Sequence, residues 1–111
     1  MKNRTSAALA ALLALGLFST AAQADIKKGQ KEYLKKCKRC HGNGTKGAAM
    51  KTQKEWEDAF ENDAKLFREW HKDDKKAMKY IDSRRFKKAA PHLKDFLYEY
   101  GSDSGNVPSC S

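Results

Sequence analysis

The chain has 111 residues, with 23 Lys and Arg against 14 Asp and Glu, a formal net charge of +9. Its apolar residues, 40% of the total, are densest at the N-terminus, and no second long apolar segment follows. That excludes a polytopic membrane protein and a chain with several independent cores.

Residues 1–24 read as a secretory signal peptide. Lys2 and Arg4 precede an apolar run from Ala7 to Phe18, and Ala22-Gln23-Ala24 is a small-x-small cleavage site before Asp25. The run is shorter than the about 20 residues needed to span a bilayer. Cleavage after Ala24 places the mature protein in the periplasm and leaves 87 residues, one third of them apolar. A core that small commonly depends on a disulfide, a metal or a cofactor.

Asp25 is placed to cap a helix in which Ile26, Gly29, Tyr33, Leu34 and Cys37 share one face. The helix leads into Cys37-Lys38-Arg39-Cys40-His41, the Cys-x-x-Cys-His pattern of covalent c-type haem attachment. Two thiols three positions apart can each form a thioether to neighbouring vinyl groups on a porphyrin edge. The histidine that follows is then held as the proximal iron ligand. A thioredoxin-like reading of the pair expects a βαβ setting, and no strand pattern exists. A structural zinc site needs four ligands at paired spacings, which His71, His92 and Cys110 do not supply.

Gly42 to Gly47 holds three glycines in six residues and predicts a loop. From Ala48 to Ala90 there is neither Gly nor Pro. Thr52-Gln53-Lys54-Glu55 is a capping box, and Trp56, Ala59, Phe60, Phe67 and Trp70 continue one apolar face of the helix it opens. Asp73-Asp74 predicts a break, followed by a helix carrying Ala77, Met78 and Ile81. Pro91 is placed to open a last helix with the stripe Leu93, Phe96, Leu97 and Tyr100, and Gly101 to cap its end. Residues 101–111 predict an irregular tail. The expectation is one all-α domain over 25–111, of four or so helices around a single covalently bound haem.

With these residues in view, the chain resembles a small monohaem cytochrome c of the class I type. The resemblance rests on Gly29 and Tyr33, on Cys37 to His41, and on Leu93, Phe96, Leu97 and Tyr98. It implies that an N-terminal helix crosses an aromatic-bearing C-terminal helix at a glycine. It also implies that Cys37 and Cys40 anchor haem c and that His41 binds its iron. Members of that family usually present a distal methionine from a loop bearing Pro and Gly. The stretch from 48 to 90 has neither, so the sixth ligand stays open. Cys110, the odd cysteine of an exported chain, and Met78, at about the family's position, are the leading candidates. Met50, His71 and His92 complete the set. Trp56, Phe60, Phe67 and Trp70 are candidates for packing on the haem as well as in the core.

Basic residues cluster at Lys27, Lys28, Lys31, Lys35, Lys36, Lys38 and Arg39, and again from Lys72 to Lys88. Beyond a solvated helical surface, such clusters suit docking to acidic redox partner proteins around an exposed haem edge. Contact with an anionic membrane surface, and a homodimer, are compatible with the same surface, whereas nucleic-acid binding is not expected. No acid–base or nucleophile constellation stands out, so no enzyme is expected. The leading expectation is a periplasmic carrier of single electrons. The alternatives are a haem-based NO or CO binding protein with a displaceable distal ligand, and a haem subunit of a larger oxidoreductase.

Overall fold

The computed structural model describes residues 25–109; the expected signal peptide and Cys110 lie outside them. Among the described residues there are six helices and no strand, and no helix is long and apolar enough to cross a membrane. The helices are α1 (residues 25–36), α2 (Lys38–His41), α3 (Gly44–Ala48), α4 (Gln53–His71), α5 (Lys75–Ile81) and α6 (Arg84–Glu99). The architecture is all-α, as the apolar periodicity predicts.

Helices α1 and α6 cross at Gly29. A Cβ there would run into the His92 carbonyl and lie 2.8 Å from the Phe96 Cβ, so only glycine allows this approach. One turn on, the Tyr33 ring packs 5.6 Å from that of Phe96. Phe86, Leu93 and Phe96 of α6 are the largest fully buried side chains, each contributing roughly 1.5–3 kcal/mol by leaving water. The sequence places Asp25 as a cap, but Asp25 is itself helical, and its carboxylate lies 3.5 Å from His92 Nδ1.

The glycine-rich segment is more ordered than its composition suggests. Asn43 caps α3 by accepting from the Lys46 amide at 2.9 Å. Gly47 packs directly on the Tyr33 ring, where a Cβ would not fit. The capping box forms as read: Thr52 accepts from the Glu55 amide at 3.2 Å, and Glu55 accepts from the Thr52 amide at 3.0 Å.

Helix α4 departs most from expectation. Glu61 is extended, and Asn62, Asp63 and Ala64 follow with φ of 53°, 57° and 57°. On a straight helix, Trp56 and Trp70 would sit about 21 Å apart along the axis; their rings lie 6.2 Å apart. Phe60 and Phe67 stack at 5.0 Å on either side of the same turn. The element is therefore a helical hairpin with arms 53–60 and 65–71. Three consecutive left-handed L-residues cost roughly 1–2 kcal/mol each, least for Asn and Asp. The aromatic pairs across the arms offset that cost, each about 0.5–1.5 kcal/mol beyond burial. Arg68 ties the turn down: its Nε donates to the Asp63 carbonyl at 3.0 Å, and its Nη1 to Asp82 Oδ1 at 2.6 Å.

Asp74 caps α5, accepting from the Ala77 amide at 3.0 Å, so the break at Asp73-Asp74 is where the residues predict it. The last helix begins earlier than Pro91. Ser83 caps it, accepting from the Phe86 amide at 3.3 Å, and Pro91 lies inside. Packing of Phe86 and Ala89 in the core keeps the turn before the proline helical. The helix ends at Tyr100 rather than through a left-handed glycine. Gly101 is needed because a Cβ there would sit 2.9 Å from the Gln53 amide nitrogen. Residues 101–109 form no helix or strand, as expected. They are tied back by Ser102 N to Lys51 O at 3.0 Å and Gln30 Nε2 to Ser109 O at 2.8 Å.

Candidate haem site

The site starts where α1 ends. Cys37 interrupts the helix, and the amides of Cys40 and His41 both reach back to its carbonyl, at 3.2 and 3.0 Å. One tight turn therefore carries both thiols and the imidazole. Gly42, at φ 81°, then reverses the chain, its amide donating to the Lys38 carbonyl at 2.9 Å. The buried Tyr33 secures this exit: its hydroxyl is shared between the Gly42 carbonyl at 2.8 Å and the Asn43 carbonyl at 3.2 Å. Burial, reinforced by Cys37, pushes that hydroxyl up to about 12, so it stays a donor.

The two cysteines sit in different surroundings. Cys37 packs against the core, whereas Cys40 is exposed. Burial first, then Glu32 and Cys40, push the Cys37 thiol up to about 12. Glu32 is held beside it by an ion pair with Arg85 at 2.8 Å, which links α1 to the start of α6.

His41 faces His71 across the top of the hairpin. Their ring centres are 5.9 Å apart with planes at 89°. Burial, and then the proximity of His71, lower the His41 pKa from its ordinary value, which favours the neutral imidazole that a metal requires. His71 Nδ1 lies 2.7 Å from the Phe67 carbonyl. A carbonyl only accepts, so Nδ1 is the donor of this bond, and in the neutral ring Nε2 is the nitrogen that carries the lone pair. The Phe67 ring, 4.5 Å away, fixes the imidazole from the side.

The other candidates lie elsewhere. Met78 lines a surface groove with Asn62, Asp63, Lys65, Arg68, Glu69 and Lys72. By the 3.6-residue period, that is a different face of the second arm from the one bearing Phe67 and His71. His92 pairs with Asp25, roughly 18 Å along α1 from Cys37. Met50 is 52% exposed in the turn after α3, and Cys110 is outside the described residues. Among the described residues, no three or more His, Cys, Asp or Glu gather around one point as a metal cluster would.

Of the proposed packing aromatics, Trp56 and Phe67 are buried, and Trp56 Nε1 donates to the Ala48 carbonyl at 2.7 Å. Trp70 is 38% exposed, with the Lys51 ammonium 4.6 Å over its ring. Trp70 and Met50 thus leave apolar surface exposed, the kind of patch a large apolar group covers. Two thiols, two imidazoles and exposed apolar surface are the chemistry a haem needs. The sequence ranks His71 as a secondary candidate because only the hairpin turn carries it back to the motif.

A family model described as cytochrome C oxidase, cbb3-type, subunit III matches residues 24–94. No curated protein and no solved structure matches the chain.

Proposed function

The chain belongs to the cytochrome c family described as cbb3-type cytochrome oxidase subunit III, and from that membership we propose that it carries single electrons through one covalently bound haem in the periplasm. Family membership supports haem-based electron transfer. The observation that carries the finer reading is the single turn presenting Cys37, Cys40 and His41 together, with His71 facing His41.

In this reading Cys37 and Cys40 hold the haem edge and His41 binds the iron. When bound, the haem would supply a one-electron iron couple. The chain's own residues fix the geometry. Tyr33 and Gly42 lock the backbone behind His41. Phe67, stacked on Phe86 at 5.6 Å and 4.5 Å from the His71 ring, holds His71 in place. Rigid walls keep reorganisation small when the charge on the iron changes.

Lys35, Lys36, Lys38 and Arg39 are exposed around the motif. They suit brief encounters with an acidic partner, in which complementary charge speeds association without tight binding. In the second basic cluster, Lys72 and Arg85 are engaged in ion pairs with Glu69 and Glu32, and the motif end is the docking face that lies nearest the proposed haem.

The matched family is described as an oxidase subunit, and this favours a second reading, a haem subunit that docks permanently on a larger oxidoreductase. The two are separated by purifying the exported chain from its native membranes and soluble fraction. A soluble monomer that titrates as a reversible one-electron couple and ignores CO supports the carrier. Stoichiometric retention on a membrane complex supports the subunit. CO binding to the reduced protein would sink both in favour of a gas-binding role.

A further inference from the structure

We propose that His71 is the second axial ligand of the haem iron, making this a bis-histidine cytochrome, and that the left-handed turn over residues 61–64 is what delivers it. The inference rests on the haem reading above and adds the residue that sets the iron's chemistry.

Three observations carry it. First, the spacing of the rings fits. An imidazole nitrogen bonds a first-row metal at about 2 Å, so two imidazoles sharing one metal have ring centres on the order of 6 Å apart. The His41 and His71 centres are 5.9 Å apart. Second, His71 is prepared as a ligand. Its Nδ1–H is committed to the Phe67 carbonyl at 2.7 Å, which orients the ring and leaves Nε2 as the nitrogen available to a metal. Third, the fold spends strain to bring it there. Without the left-handed residues Asn62, Asp63 and Ala64, the second arm would continue away from the motif. With them, Trp70 meets Trp56, and Trp56 is tied to Ala48 just beyond the motif. Strained backbone of this kind concentrates where a site must be held in place.

The competing side chains have other occupations. Met78 lies in the groove with Arg68 and Lys72, His92 pairs with Asp25, and Met50 is 52% exposed in the turn after α3. Two nitrogen ligands also predict a lower potential than a histidine–methionine pair, because a thioether raises it.

The test uses the full exported chain matured with haem. Ferric electron paramagnetic resonance and ferric and ferrous absorption spectra are recorded for the wild type, His71→Ala, His71→Met, Met78→Ala and Cys110→Ala. Mass spectrometry reports haem attachment in each. The wild type is expected to be low-spin, with no methionine–iron charge-transfer band. His71→Ala is expected to keep its haem but turn high-spin and bind CO on reduction. His71→Met, which retains a ligand and guards against simple misfolding, is expected to stay low-spin, gain the methionine band and shift to higher potential. Met78→Ala and Cys110→Ala are expected to match the wild type. A His71→Ala spectrum identical to wild type, or loss of the low-spin state in Met78→Ala or Cys110→Ala, overturns the assignment while leaving the haem reading intact. A wild-type chain that acquires no haem overturns both.

Discussion

Trp56 and Trp70 stand on the two arms of α4, on either side of the left-handed turn, and their rings meet edge to face at 6.2 Å. Residues that far apart on a straight helix cannot touch, so the contact defines a hairpin. The hairpin in turn sets His71 beside His41.

The left-handed turn gives a prediction of opposite sign from a helix. Asp63→Gly and Asp63→Ala both remove the carboxylate. In a regular helix the glycine variant is the less stable by about 1 kcal/mol. At φ 57° it is expected to be the more stable, by about 1 kcal/mol. Denaturant midpoints of the two haem-loaded variants decide the sign.

This turn is also where the sequence is least legible. Glu61-Asn62-Asp63-Ala64 holds no Gly or Pro, and Phe60, Phe67 and Trp70 all satisfy the helical period. Only tertiary stacking across the arms selects the left-handed geometry. Features that depend on neighbouring residues alone are legible: Thr52 with Glu55, Asp74 before α5, and the haem motif itself. Gly29 against Phe96 is legible through the family resemblance. Pro91 misleads because a buried stripe through Phe86 and Ala89 carries the helix past it, and the true cap, Ser83, stands beside an inconspicuous Asp82. Met78 fits an apolar stripe in sequence, and in the fold it packs against the core while also bordering the groove with Arg68 and Lys72.

Gly29→Ala tests the crossing of α1 and α6. Its methyl would press on the His92 carbonyl and Phe96, and overpacking of this kind costs typically 1–3 kcal/mol. The expected result is a clear loss of thermal stability with haem still attached. Tyr33→Phe, which removes only the hydroxyl bond to Gly42 and Asn43, is expected to cost about 1 kcal/mol. Thermal melts of both variants, followed in the haem band, check the order.

Before haem attachment the two cysteines should differ in reactivity. The thiolate is the reactive form, and burial holds Cys37 as the neutral thiol up to about pH 12. Cys40 is exposed. In the haem-free folded chain at pH 8, iodoacetamide is expected to label Cys40 at least about tenfold faster than Cys37. Cys37 labelling should continue to speed up as pH rises toward 12. Peptide mapping of a labelling time course measures both rates.

Electron exchange with an acidic partner should slow as salt rises, because exposed charges are screened over about 8 Å at physiological ionic strength. Reversing Lys38, exposed beside Cys37, to Glu is expected to lower the association rate several-fold at low salt and to matter little at high salt. Reversing Lys76, on α5, is expected to have the smaller effect. Stopped-flow kinetics across a salt series compares them.

The turn from Cys37 to His41, which follows α1, is where the covalent haem is expected. Tandem mass spectrometry of the exported, matured chain tests it most directly. The account predicts one haem on the peptide containing Cys37 and Cys40, lost when both are changed to Ser. An unmodified peptide, or a disulfide between Cys37 and Cys40 in the matured protein, would contradict it.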